Sequence, residues 1–567
     1  MRSWTDGRKS SGIKRSSRSG LGASMDAPFF LYMALALGVF VFILWPTLVM
    51  LKESVYIDGS LSLGHYRSLL LENRTLLKNS LFVGFWTTLF ALIIGLSCAL
   101  YVTHTDLWGK KAILAVLLMT LISPPFVSSL SYIMLFGRRG LITWKLLGIR
   151  WNPYGPGGII AMEAVGFASI AAFLIMAVLR GIDRSLERAS LDLGGNRGDT
   201  LIGVTLPLAW PGIMTAGLIV FIRSLSDFGT PMFIGGNFNV LATQAYMTAV
   251  GSYDLPKAAA ISTVLLIPAL AVFIVYRRVM GKNASLFSSK TASDEGAALP
   301  GGVQAIIFTV VWAFVALEVA KYGAILVGAF VKTWGVNFTF TLKHMEALEA
   351  AKMGSLLRSL KYASIAAFSA AFMGILLARF LGRAKGLLAR TLDFTADLPF
   401  ILPGPFFGIA YLLAFNWMPE PLLATGFLLV TNCVYRQLSI GIKSGVSVLG
   451  QINPELEDAV RDQGGSWLSV LKDVVAPKMV PAFLVSFVNT FTFTMTTIGG
   501  IIFLITPYTK VLTAEMFDAI QTGDIGASSA MASVIIGVTM VVNVVFSWTL
   551  LKKGKARGSE GSELNVS

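Results

Sequence analysis

Runs of about 20 apolar residues, each long enough to cross a bilayer core as a helix, recur along the whole chain. They fall near 28–51, 80–104, 112–137, 157–180, 208–226, 258–277, 304–331, 359–382, 393–416, 421–441, 480–505 and 527–551. The pattern predicts an all-α integral membrane protein with about twelve transmembrane helices. The polar stretch over 1–27, with Arg2, Arg8, Lys9, Lys14, Arg15 and Arg18, reads as a disordered cytoplasmic tail. The run after it is too long for a signal-peptide core and lacks a small-residue cleavage site, so it reads as an uncleaved first span.

The loops give an orientation. With the basic N-terminus inside, the cytoplasmic loops hold Lys110 and Lys111, then Arg180, Arg184, Arg188 and Arg197, then Arg277, Arg278 and Lys282. The second half continues with Arg379, Arg383, Lys385 and Arg390, and closes on Lys552, Lys553, Lys555 and Arg557. Lys and Arg are retained on the cytoplasmic side, so both termini are expected there. A loop with Arg138, Arg139, Lys145 and Arg150 breaks the pattern and suggests a functional surface on the outside.

Composition agrees: 55% of the 567 residues are hydrophobic and only 14% charged, where a soluble domain carries about a quarter. The net charge of +15 follows from topology, so nucleic-acid binding is not expected. Cys98 and Cys433 lie in separate apolar runs, and His65, His104 and His344 stand far apart, which leaves no metal-ligand spacing.

The polar, small-residue segment 281–302 reads as a linker between a first half over 28–280 and a second over 303–553, with a cytoplasmic tail over 554–567. Asn79-Ser80-Leu81 opens the second span and Arg358-Ser359-Leu360 the eighth. The polar loop Leu186-Glu187-Arg188-Ala189-Ser190-Leu191-Asp192-Leu193-Gly194-Gly195 returns as Leu456-Glu457-Asp458-Ala459-Val460-Arg461-Asp462-Gln463-Gly464-Gly465, 270 residues later. The same offset carries Pro207 onto Pro477 and Pro211 onto Pro481. Leu186, Ala189, Ser190 and Leu193 share one helical face, as do Leu456, Ala459, Val460 and Gln463. Gly194 and Gly464 can end these helices with a left-handed cap. A second short helix is expected to run to Pro207 or Pro477, where the chain turns back into the membrane. Each half thus presents a compact helical knob suited to a groove on another protein.

These residues carry a family resemblance. Glu-x-Ala, with a Gly seven residues after the Glu and a Pro thirteen further on, resembles the coupling loop of binding-protein-dependent ABC importer permeases. Two copies in one chain resemble the fused permeases of the ferric-iron transport family, as does Asp227-Phe228-Gly229-Thr230-Pro231. The second half departs from the pattern, with Thr497-Ile498-Gly499 aligned on Asp227-Phe228-Gly229. The resemblance implies two partner ATPase subunits, one per knob, with ATP and Mg on those subunits and no cofactor on this chain. It also implies a periplasmic or lipid-anchored substrate-binding protein, and the bacterial inner membrane as location. Glu187, Ala189, Gly194 and Pro207 would serve the first coupling loop, and Glu457, Ala459, Gly464 and Pro477 the second. In that reading Glu187 and Glu457 anchor their knobs in the ATPase. No GxxxxGK[ST] loop occurs, so ATP hydrolysis falls to another chain and no catalytic residue is expected here.

Charges at membrane depth invite a functional question. Glu163, Arg223, Asp227 and Arg436 are candidates for the substrate pathway. Arg223 and Asp227 could pair with each other, and Arg436 could instead be the structural partner of Glu163. Glu318 and Lys321, three apart, can satisfy one another. Pro124-Pro125 and Pro399, Pro403 and Pro405 break helices at matching places. An ion-coupled secondary transporter is the rival class. Resemblance points to ferric iron or an anionic iron complex as substrate, while the arginines equally suit a phosphate-bearing solute such as a sugar phosphate or phosphonate.

Overall fold

The computed structural model describes residues 27–283 and 299–563, apart from 58, 151, 384, 385 and 454. Nearly all of the N-terminal tail, most of the linker and the last four residues of the C-terminal tail lie outside the described residues. The first half runs through α1 (Phe30–Ser54), α2 (Arg74–His104), α3 (Lys110–Ile122), α4 (Pro125–Phe136) and α5 (Pro156–Gly181). It continues with the short α6 (Arg184–Asp192), α7 (Arg197–Ser226), α8 (Gly229–Ile234), α9 (Leu241–Tyr246) and α10 (Leu255–Asn283). The second half runs through α11 (Gly301–Ala329), α12 (Lys343–Arg383), α13 (Leu387–Ile401), α14 (Gly404–Phe415) and α15 (Phe427–Leu449). Then come α16 (Glu455–Asp462), α17 (Trp467–Thr496), α18 (Leu512–Gln521) and α19 (Ile525–Glu563), the last extending into the segment expected as a tail.

Among the described residues nine helices are long and apolar enough to cross a membrane, or up to eleven if each of two bent pairs counts as one span. The expected third and ninth spans are these pairs, bent by 108° between α3 and α4 and by 114° between α13 and α14. Pro124-Pro125 and Pro403 sit at the bends, where a proline ring clashes with the preceding turn and offers no N–H. The expected tenth span falls on α15, long enough at 23 residues but interrupted by Asn432, Arg436, Gln437 and Lys443. Most of its length is buried by protein rather than lipid, which is how it tolerates that polarity.

The repeat is structural as well as sequential. The Ser80 hydroxyl accepts from Leu241 N–H at 2.8 Å, and Ser359 accepts from Leu512 N–H at 2.8 Å. One residue earlier in each copy, Asn79 Nδ2 donates to Asn239 O and Arg358 Nε to Lys510 O, both at 2.9 Å. The two ties hold α9 to α2 and α18 to α12. A further anchor on α18 is Glu515, whose carboxylate meets Lys352 at 2.6 Å and Lys510 at 3.3 Å. Burial pushes this carboxyl up, but the two ammonium groups together outweigh it and hold it below the usual range.

Each half's first span lies against the other half. Tyr411 of α14 donates to Phe42 O of α1 at 2.7 Å, and Phe42 stacks on Tyr435 of α15 at 5.1 Å. Reciprocally, Trp312 of α11 donates to the Tyr101 hydroxyl of α2 at 3.3 Å, and Trp334 just beyond α11 donates to Met134 O of α4 at 2.9 Å. The basic loop that breaks the charge pattern rests partly on aromatic faces, Arg138 over Tyr154 at 5.7 Å and Lys145 over Phe338 at 4.3 Å.

Within α11 the Lys321 ammonium meets Glu318 Oε1 at 3.0 Å with both side chains 1% exposed or less. Removing one member of a buried pair costs about 3–5 kcal/mol, while replacing both by apolar residues is close to neutral. Lys321→Met is therefore expected to lower the thermal unfolding midpoint in detergent, and Glu318→Met with Lys321→Met to recover it. Equal losses in the single and double variants would contradict the pairing.

Candidate functional site

The two loops that match across the repeat fold as expected into short helices, α6 and α16, at the same end of the molecule. Asp183 caps α6 by accepting from Ser185 N–H at 2.9 Å. Both helices end on a left-handed glycine, Gly194 at φ +90° and Gly464 at φ +81°. The second glycine of each pair is needed for another reason: a side chain on Gly195 or Gly465 would press into the carbonyl of Ser190 or Val460.

Which face of the knob points inward is the reverse of the expectation. Glu187 is fully buried and Glu457 is 3% exposed, while Leu186, Ala189, Leu456 and Ala459 are exposed and Leu193 is 89% exposed. The carboxylates therefore do not reach a partner protein; each holds its knob to its own half. Glu187 Oε1 meets His104 Nε2, at the end of α2, at 3.1 Å and accepts from the Thr205 hydroxyl at 2.8 Å. Glu457 receives the Arg379 guanidinium of α12 as a fork, Nη2 to Oε2 at 3.1 Å and Nη1 to Oε1 at 3.4 Å. A carboxylate leaves water only where such donors replace it, and the C-terminal ends of α2 and α12 supply them. Arg184 adds a bond to Thr103 O at 2.8 Å.

Neither His104 nor Arg379 was assigned this role from the sequence; Arg379 was counted with the topology arginines. The available signal was position, since each stands at the end of the second apolar run of its half. Pro207 and Pro477 also differ from expectation. The chain does not turn at them: α7 and α17 run unbroken from Arg197 to Ser226 and from Trp467 to Thr496. Each proline follows a π-helical turn, Leu201–Thr205 or Val470–Val475, whose wider spacing accommodates the missing N–H.

At the far end of α7 the pathway candidates separate. Asp227 Oδ1 accepts from Gly229 N–H at 2.9 Å and Thr230 N–H at 3.4 Å, capping α8. Arg223 does not pair with it and lies over the Phe400 ring of α13 at 5.6 Å. Glu163 Oε2 accepts from Thr87 at 3.2 Å and from the Ser224 hydroxyl, all three residues being buried. It forms no ion pair with Arg436, which lies over Phe493 of α17 at 5.0 Å.

Between the halves stands an aromatic cluster that sequence reading passed over. Phe517 of α18 lies 5.1 Å from Phe233, 5.5 Å from Phe126, 6.0 Å from Tyr246 and 6.2 Å from Phe228, all from the first half. Tyr246 and Phe517 follow the equivalent Leu241 and Leu512 by five residues each, so two matching positions meet across the interface. That shared aromatic character was the missed signal.

Two interlocked membrane halves, each with a latched knob at one end, define an inner-membrane permease of a transport system. A family described as "Binding-protein-dependent transport system inner membrane component" matches residues 91–282. The chain is 32% identical over 552 residues to the ferric transport system permease protein FbpB of Actinobacillus pleuropneumoniae, covering 93% of this chain and 80% of that one. It is 33% identical over 492 residues to the putative ferric transport system permease protein FbpB 1 of Haemophilus influenzae, covering 83% and 77%. A putative 2-aminoethylphosphonate permease, PhnU of Salmonella choleraesuis, matches 41% of this chain over 85% of its own length, at 26% identity. The chain belongs to the binding-protein-dependent permease family, as a fused two-half permease of its ferric transport branch.

The two latches should differ in strength. Glu457→Gln leaves the Arg379 guanidinium buried without a counter-charge, at a cost of about 3–5 kcal/mol. Glu187→Gln should cost less, because His104 and Thr205 can both hydrogen-bond an amide. Amide hydrogen exchange of residues 455–465 in the first variant should accelerate more than that of 184–195 in the second; the opposite order would contradict the assignment.

Proposed function

We propose that the chain is the permease of an ATP-driven importer that passes ferric iron, or an anionic complex of it, from an external binding protein to the cytoplasm. The observation that carries this reading is the duplicated knob, latched by a buried carboxylate and turned apolar side outward. Leu186, Leu193 and Ile202 form the exposed apolar set of the first knob, and Leu456 and Leu468 that of the second. Each set suits a groove on one ATPase subunit, so one permease binds two. ATP and Mg are held by those subunits, and the permease acts by changing shape. Knobs and both termini then face the cytoplasm, and α15 serves as a buried twelfth span. A secondary transporter would have no use for two matched, latched knobs.

Iron as cargo is supported by the relatives named for ferric transport. A phosphate-bearing solute is the second reading, supported by the phosphonate permease among the relatives and by Arg436, two of whose nitrogens are buried without a partner. In either case the aromatic cluster around Phe517 closes the pathway at the end opposite the knobs.

Leu193→Glu with Leu456→Glu places charge on the outward face without touching a latch. The variant is expected to insert and melt normally but to lose both ATPase subunits in co-purification, and uptake with them. Retention of two ATPase subunits per chain would remove the knobs from coupling. Tyr246→Ala with Phe517→Ala is expected to raise ATP hydrolysis in the absence of binding protein and to make proteoliposomes leak. An unchanged leak and basal rate would show that the cluster is not the barrier.

A further inference from the structure

We infer that the second half holds a binding site for a small oxyanion, built by Arg436 and Asn432 of α15 with Arg223 of α7 reaching in from the first half. Asn432 is fully buried, and neither its Oδ1 nor its Nδ2 has a hydrogen-bond partner. One helical turn on, Arg436 has Nε and Nη1 buried and equally without a partner. The two head groups converge on one spot. A methyl group placed on Gly500 would stand 2.6 Å from Arg436 Nη1 and 3.1 Å from Asn432 Oδ1. Arg223 has the Phe400 ring as its neighbour and no carboxylate, and it lies within electrostatic reach of Arg436.

Buried donors without acceptors are rare in native proteins, and each calls for a specific reason. Two guanidinium groups near one another in a low-dielectric interior repel unless an anion sits with them. Among the described residues the protein does not supply one. Glu163 is tied to Thr87 and Ser224, and Asp227 to the amides that open α8. A guanidinium fork matches a compact oxyanion, whose oxygens accept parallel bonds, and the Asn432 amide, both ends of which are without a partner, adds its N–H₂ by a half-turn that exchanges it with Oδ1. A bare cation would be repelled. The site is single: at the repeat-equivalent positions of Asn432 and Arg436 stand Met162 and Gly166, which offer no donor side chain. The oxyanion is either free or a ligand on the ferric ion. The second case rests on the transport reading above, and the first stands without it.

The purified permease alone, in nanodiscs and without ATPase or binding protein, separates the two. Titration with inorganic phosphate at constant ionic strength, read by calorimetry and thermal unfolding, is expected to show saturable binding near one per chain. Arg436→Gln should weaken it at least tenfold and Arg223→Gln by a smaller factor, while Glu163→Gln keeps it. Gly500→Ala, which fills the spot and removes no charge, should also abolish binding, and serves if Arg436→Gln does not fold. Saturable binding of phosphate with ferric ion, but not of phosphate alone, would assign the metal-bound source. Absence of saturable binding with either probe, or equal binding in the wild type and Gly500→Ala, would overturn the site. Loss of uptake in the knob variant leaves this result untouched, so the two readings fail separately.

Discussion

A carboxylate removed from water must be met by donors, and the whole knob end of the molecule is arranged around two such carboxylates. Glu187 and Glu457 lie under their short helices, so each helix rests on the end of a long span and shows its small and apolar residues to the outside. The alternative, with Leu186 and Leu193 turned inward, would bury more apolar area but take the carboxylates away from His104 and Arg379. At the second knob, where Leu456 is the one leucine of α16, removal of one member of the Arg379–Glu457 pair outweighs the burial of that leucine, roughly 3–5 against 1.5–3 kcal/mol. The charge pair therefore sets the orientation, and the outward apolar surface follows from it.

The latch also fixes what can move together. α7 begins two residues beyond the first glycine pair and α17 two beyond the second, each running 30 residues, or about 45 Å, without a break. Their π turns and prolines leave these helices continuous, so each knob and its long helix form one lever. The far ends carry Arg223 and Phe493 and lead into Phe228 and Ile498, next to the contact between the halves. A displacement at a knob thus has a contiguous packed route to the centre.

The scaffold was legible in sequence because lipid imposes it. Apolar runs of span length, paired glycines and a loop repeated in register each have one economical structural meaning. What was not legible depended on distant partners. His104 and Glu187 are 83 residues apart, Arg379 and Glu457 are 78, and no local pattern distinguishes Arg379 from the arginines that set topology. Pro207 and Pro477 were misread because a π turn rescues a helix that proline would otherwise end. The sharp bends at Pro124 and Pro403, and the polar α15 sheltered by its neighbours, mark the same limit: hydropathy reports the solvent a segment needs, not which protein surface provides it.

The two halves agree in some places and diverge in others, and the division has a physical logic. Ser80 and Ser359, the glycine pairs, the bends and the ring pair of Tyr246 and Phe517 repeat, because these elements position helices that must sit alike on both sides of the interface. The charges at membrane depth do not repeat: Glu163 faces Cys433 in the alignment, Arg223 faces Phe493, Asp227 faces Thr497 and Gly166 faces Arg436. A homodimer would be bound by symmetry to place every such charge twice, and two copies of Arg223 and Arg436 would put four guanidinium groups into one core. Fusion of the halves removes that constraint. It allows the second half to carry Arg436 where the first has Gly166, while the first keeps a carboxylate tied to Thr87 and Ser224, so that two similar walls differ in charge where they meet.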